Sequence, residues 1–243
     1  MAQARARLCV IGASNAWMAL PGVLRALRGP TEVLVAAGHG RSYGASSRYL
    51  ARELPPILEC GLWPELARAS APLQTLVTDV GNDLAYGAGA KLIAGWVDEV
   101  LARLEGRVTL TALPLESLEQ LSPFVFHAVR ILVFRGRPLE QARVLAEARE
   151  LDLRMAEIAR ARGAQLVRIP REAIGWDGIH QRGAVRTELW KSWLAELGVE
   201  LDPAHGLRFR GALRPQERWL FGRAIHTRQP CALAADGSRV SIF

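Results

Sequence analysis

Four short segments carry side chains that together could attack and hold a carbonyl carbon. Gly12-Ala13-Ser14-Asn15 offers a hydroxyl on a glycine-led turn into a helix, which exposes the oxygen and aims backbone N–H groups outward. A serine hydroxyl is a weak nucleophile at neutral pH and needs a base beside it. His180 is the candidate base; Asp177, three residues earlier, can bond one ring nitrogen and fix the tautomer. Asn82, after Gly81, can turn its amide toward a developing oxyanion. Gly40, in Gly38-His39-Gly40-Arg41-Ser42, can present a backbone N–H with no side chain in the way. Each feature has a plainer reading: Ser14 as a helix N-cap, His180 as an incidental loop residue, Gly40 and Asn82 as turn formers.

The surrounding pattern gives these segments a common place. Apolar β-rich runs at residues 7–11, 32–37, 73–80, 108–113 and 164–169 alternate with helical spacing at 16–27, 46–54, 91–104, 141–162 and 184–197. Strands separated by helices predict βαβ units, a parallel sheet and helices on both faces. Ligands of such sheets bind beyond the carboxyl ends of the strands. The Ser14, Gly40, Asn82 and Asp177–His180 segments each follow a predicted strand, so the fold would gather them at one edge.

The blocks GASN, GRS, VGND and DGIH resemble the four signature blocks of the SGNH (GDSL-type) hydrolases, over about residues 7–197. The resemblance implies a flavodoxin-like three-layer α/β/α fold with a five-stranded parallel sheet in the order 2-1-3-4-5. It implies Ser14 as nucleophile, His180 as base and Asp177 as its orienting acid. Ser14 N–H, Gly40 N–H and the Asn82 side chain would form the oxyanion hole. The first block departs from Gly-Asp-Ser-Leu, with Ala13 in place of the Asp and Asn15 in place of the Leu. The second block lacks its early Asn, with Ala36-Ala37 in that stretch, and its glycine is Gly40 or Gly44; Gly40 is preferred because Gly40-Arg41-Ser42 resembles the turn of the carbohydrate acetylesterase branch. The implied activity is hydrolysis of a carboxylic ester or thioester, with no metal or organic cofactor. The alternatives are acyl transfer by the same site, or a binding module that kept the fold.

Other residues refine this reading. Arg41 and His39 stand close enough in sequence to contact substrate. Asp83 is expected to bond loop backbone rather than act as a second acid. His39, His127, His205 and His226 have no ligand spacing, and Cys9, Cys60 and Cys231 form no metal motif, so no metal site is expected. No phosphate-loop motif occurs. Pro123 to Phe134 (PFVFHAVRILVF) is strongly apolar yet too short to span a bilayer; it reads as a buried helix, or as a cap that lines an acyl-binding pocket or touches lipid.

Composition bounds the rest. The chain of 243 residues is half hydrophobic and 23% charged, which excludes disordered, collagen-like and coiled-coil classes. Its net charge is +7; Lys occurs only at Lys91 and Lys191, so 29 of the 31 basic residues are Arg. The basic residues form no like-charge block, which argues against a nucleic-acid partner; the expected partner is a small-molecule ester. Three widely spaced cysteines and a broken N-terminal apolar run suggest a cytoplasmic protein. Residues 198–243 lose the βα rhythm, carry seven Arg against four acids, and are expected to pack as a C-terminal extension on the domain of residues 1–197.

Overall fold

The computed structural model describes residues 6–68, 73–132, 139–202, 204 and 206–243. Strands β1 (Ala6–Ile11) and β2 (Thr31–Ala36) lie at the centre of the sheet, and β2 is buried along its whole length. Two apolar faces require that both sides of a parallel strand be covered, which explains the near-continuous apolar runs. Alternation sorts the side chains: Cys9, Ile11, Leu34 and Ala36 enter one core cluster, Leu8, Val10, Val33 and Val35 the other.

Helix α1 (Ser14–Ala26) joins β1 to β2. After β2 come the short strands β3 (Ser47–Tyr49) and β4 (Arg52–Leu54), then helix α2 (Leu62–Leu66). Strand β5 (Leu73–Val77) leads through a 3-10 segment, Val80–Tyr86, to α3 (Ala90–Ala102). Strand β6 (Arg107–Thr111) is followed by α4 (Leu115–Glu119), α5 (Pro123–Leu132) and α6 (Gln141–Arg162), which stops at Gly163 in the left-handed conformation. Strand β7 (Gln165–Val167) precedes α7 (Gly183–Leu197). Helices α3 and α6 cover one face through Ile93, Val97, Leu151 and Met155; α1 and α7 cover the other through Leu20, Val23, Trp190 and Leu194.

The chain ends in β8 (Phe209–Gly211), β9 (Glu217–Leu220), β10 (Arg223–His226), β11 (Ala232–Ala234) and β12 (Arg239–Ile242). The main sheet runs β7-β6-β5-β1-β2-β12-β11-β8, so the expected five-stranded sheet is corrected to eight strands. The reason lies after residue 198: β12 adds parallel to β2, and β11 and β8 continue the edge antiparallel. A buried ion pair seats this addition, since Glu32 on β2 accepts from Arg7 at 2.8 Å and from Arg239 Nε at 2.7 Å.

A second sheet, β10-β9-β4-β3, is antiparallel. It corrects the helix expected over residues 46–54. Leu50 takes a positive φ of 56° at the β3–β4 turn, and β4 pairs with β9, a partner far along the chain that local periodicity cannot register. The apolar run at 123–134 forms α5 up to Leu132; its last two residues lie outside the described residues. The helix is only partly buried, with Phe124 81% exposed and Val129 2% exposed. No described helix is long and apolar enough to cross a membrane.

Candidate active site

Ser14 is the first residue of α1, directly beyond the carboxyl end of β1. It is 7% exposed, and its Oγ lies 2.9 Å from His180 Nε2. His180 belongs to the tight loop between β7 and α7. That loop is closed by Gly175 N–H donating to the His180 carbonyl at 2.7 Å and by Arg182 N–H donating to Ala173. The other ring nitrogen, Nδ1, lies 2.6 Å from Asp177 Oδ2. Asp177 Oδ1 accepts from the backbone N–H of Ile179 at 3.1 Å and of His180 at 2.9 Å. One carboxylate therefore shapes the loop and orients the ring within it. An ionised carboxylate only accepts, so Nδ1 carries the proton and the Nε2 lone pair faces Ser14.

The charges are tuned by the same contacts. The hydrogen bond to Asp177 raises the His180 pKa above its ordinary value, against the opposing effect of burial; the negative charges of Asp177 and Asp79 add to the rise. Burial pushes Asp177 up, but the hydrogen bonds it accepts from His180 and Ile179 outweigh this and hold it below the usual carboxylate value.

Asn82 sits in the 3-10 segment after β5. One of its amide hydrogens is used: Nδ2 donates to the Arg41 carbonyl at 2.9 Å. An amide has two such hydrogens, and Asn82 lines the cleft beside Ser14. Gly40 is the neighbour of that carbonyl, so Asn82 is fastened to the Gly40–Arg41 turn. Gly40 has φ +68°, a left-handed conformation, and Tyr86 Oη donates to its carbonyl at 2.7 Å. Gly44 plays another part. A Cβ there would fall 2.0 Å from the Trp96 ring, so its missing side chain makes room for an indole.

Two predicted contacts fall differently. Arg41 is 0% exposed, and its guanidinium turns inward to donate to the Phe243 carbonyl beside β12. The expected substrate contact of its side chain is thus corrected: Arg41 ties the turn to the end of the C-terminal segment. His39 remains near the site, stacked on Tyr49 with ring centroids 5.4 Å apart. Burial lowers its pKa, and the charges of Arg52 and His180 lower it further. Asp83 is buried and accepts from Tyr43 N–H at 3.0 Å. His205 lies outside the described residues. Among those described, no cluster of His, Cys, Asp and Glu is placed to hold a metal ion.

Sequence reasoning missed Asp79 and the role of Asn15. Asp79 has φ +61°, and its Oδ2 accepts from Ala13 N–H at 2.8 Å and Ala16 N–H at 3.1 Å. Its Oδ1 accepts from Asn15 Nδ2 at 2.8 Å. Asn15 then reaches the base loop. Its Nδ2 also approaches the Ile179 carbonyl at 3.2 Å, and its Oδ1 accepts from Gln181 N–H at 2.8 Å. Gln181 Oε1 accepts from Trp190 Nε1 at 2.7 Å, which anchors the loop to α7. The available signal was an acid at the carboxyl end of a strand, beside a first block that lacks its own.

An apolar cleft opens beside Ser14 and Asn82. It is lined by Leu113 after β6, Leu121 after α4, Phe126 and Val129 on α5, and Ile169 after β7.

No family model matches the chain, and no curated protein matches it. Solved structures do. One described as a "putative arylesterase" from Agrobacterium tumefaciens str. C58 superposes with a TM-score of 0.52 at 12% identity, covering 79% of this chain and 98% of its own. A carbohydrate acetylesterase from Sinorhizobium meliloti gives 0.51 at 12% identity, covering 80% and 99%. At such identity the likeness speaks for architecture. The chain shares the fold of these two structures.

Proposed function

We propose that the chain is a serine hydrolase of carboxylic esters, with Ser14 as nucleophile, His180 as general base and Asp177 as its orienting acid. The single observation that carries this reading is the continuous contact from Ser14 Oγ to His180 Nε2 at 2.9 Å and from His180 Nδ1 to Asp177 at 2.6 Å. That relay supplies what a serine hydroxyl lacks. The names of the solved neighbours favour an ester as the substrate.

In the reaction, His180 Nε2 takes the Ser14 proton as Oγ bonds to the ester carbonyl carbon. The Ser14 and Gly40 N–H groups and the second Asn82 amide hydrogen receive the oxyanion. The C–O bond to the alcohol breaks, and the alcohol leaves with the proton from His180. Water then attacks the acyl-enzyme by the same steps and frees the acid. No step calls for a metal or an organic cofactor.

A fluorophosphonate probe tests this directly. The expected result is one covalent adduct per chain, mapped to Ser14 and lost in Ser14→Ala. A folded protein that takes no label would overturn the assignment.

A further inference from the structure

We propose that the cleft beside Ser14 takes the acyl half of the substrate, and that the acyl group is a fatty chain rather than acetyl. The inference rests on the hydrolase reading and names the substrate class of that site.

The orientation follows from the proton. The leaving oxygen must receive its hydrogen from His180 Nε2, so the alcohol stands beside His180. The acyl chain must then leave the carbonyl carbon on another side. The cleft begins at Ser14, Asn82 and Gly81, and His180 is not among the residues that line it. It therefore continues the acyl side.

The walls define the chemistry. Beyond the mouth, the lining is dominated by aliphatic and aromatic side chains such as Leu113, Leu118, Leu121, Phe126 and Val129. The polar groups at the mouth are largely engaged: Asp79 holds the α1 turn and Asn15, and Asn15 holds the loop around His180. An acetyl group would leave this apolar space to water. Part of the wall is α5, the apolar segment that the hydrolytic chemistry itself does not use. Its Val129 is buried and faces the cleft, while Phe124 stays in solvent.

Each methylene moved from water into such a cleft favours the transition state about fourfold. Acetate, butyrate, hexanoate and octanoate p-nitrophenyl esters compare the chain lengths on one leaving group. The expected kcat/KM rises with length, and octanoate exceeds acetate by about 10²-fold or more. In Val129→Trp, which fills the cleft, the octanoate-to-acetate ratio should fall at least about tenfold. Should that variant fail to fold, alkylboronic acids on the unaltered protein give the same information. Their boron accepts Ser14 Oγ as the proton moves to His180, and the alkyl group stands where the acyl chain would. Octaneboronic acid should inhibit about 10²-fold more tightly than methylboronic acid. Acetate turned over as well as octanoate, with turnover lost in Ser14→Ala, would overturn the acyl assignment and leave the hydrolase standing. Absence of both turnover and fluorophosphonate labelling would remove the hydrolase and this inference with it.

Discussion

Asp79 Oδ1 accepts a hydrogen bond from Asn15 Nδ2 at 2.8 Å, and this contact supplies what the first block lacks. With Ala13 where the resembling family has an acid, the α1 N-terminus has no carboxylate of its own. Asp79 brings one from the end of β5 and receives two of the helix's orphan N–H groups. Asn15, in turn, holds the Gln181 N–H beside the base. One acid thus fixes the serine turn directly and the histidine loop through one intermediary.

Asp79→Ala should accordingly cost about 2 kcal/mol of stability, from a lost cap and N–H groups left without a partner. It should also lower kcat about tenfold or more with little change in KM, because the nucleophile and base lose registration while the cleft remains. Asp79→Asn keeps an acceptor oxygen and tolerates the left-handed backbone, so it should recover part of both losses. Equal falls in melting temperature with no separation of kcat from KM would reduce Asp79 to a structural cap.

The pH profile reports the second relationship. In the proposed reaction, removal of the Ser14 proton needs neutral His180, whose pKa the Asp177 hydrogen bond holds above the ordinary ~6.5. Turnover should therefore rise with pH through a midpoint above that value, and Asp177→Asn should move the midpoint down while cutting kcat by roughly 10³-fold or more. Stability runs the other way for the base. The raised His180 pKa contributes stability below ~6.5 that is lost as pH climbs through the folded value. The lowered Asp177 pKa contributes stability above ~3.9 that is lost as pH falls through its folded value. A flat rate profile between pH 5 and 8 would argue against a histidine base.

How much of this was readable in the sequence depends on how local each feature is. Asp177 and His180 sit three residues apart in one loop, so their contact is encoded in spacing alone. The helices from residues 141 and 184 follow from apolar periodicity ended by glycine. The strands β3 and β4 read as helix because, among the described residues, β3 pairs only with β4, and β4's other partner, β9, lies more than 160 residues away. The three strands that extend the sheet after residue 198 have no legible signal for a similar reason: each is at most four residues long and stands outside the βα rhythm. Arg41 read as a site residue because a charge in a turn is normally solvated; the arrival of Phe243 gives its guanidinium a buried acceptor instead. Asp79 was invisible because its partners are more than sixty residues earlier in the chain.

Asn82 links both halves of the proposed oxyanion hole. Removing its amide deletes one proposed donor to the oxyanion and frees the Gly40–Arg41 turn from its 2.9 Å tether. Asn82→Ala should lower kcat by roughly 10²- to 10³-fold, measured on a short-chain ester, with fluorophosphonate labelling slowed in parallel. Asn82→Asp cannot donate to the Arg41 carbonyl and sets a negative charge where the oxyanion forms, so it should be worse than Ala. Unchanged turnover in Asn82→Ala would exclude it from the hole.

Gly40 and Gly44 separate the glycine proposed for the oxyanion hole from a packing glycine. At Gly40 the φ of +68° penalises any L side chain, by roughly 1–2 kcal/mol, and a Cβ would stand 2.5 Å from Tyr86 Oη, the group that fixes the Gly40 carbonyl. Gly40→Ala should thus tilt the peptide whose N–H is proposed to meet the oxyanion and lower kcat about tenfold or more in protein that is still folded. At Gly44 no positive φ is needed, but a methyl group would collide with the rigid Trp96 ring at 2.0 Å. Overpacking of this kind costs typically 1–3 kcal/mol. Gly44→Ala should therefore lower the melting temperature more than Gly40→Ala, while each folded molecule keeps its turnover. Thermal unfolding measured beside labelling rate per folded chain distinguishes them, and a reversed pattern would move the second-block role from Gly40 to Gly44.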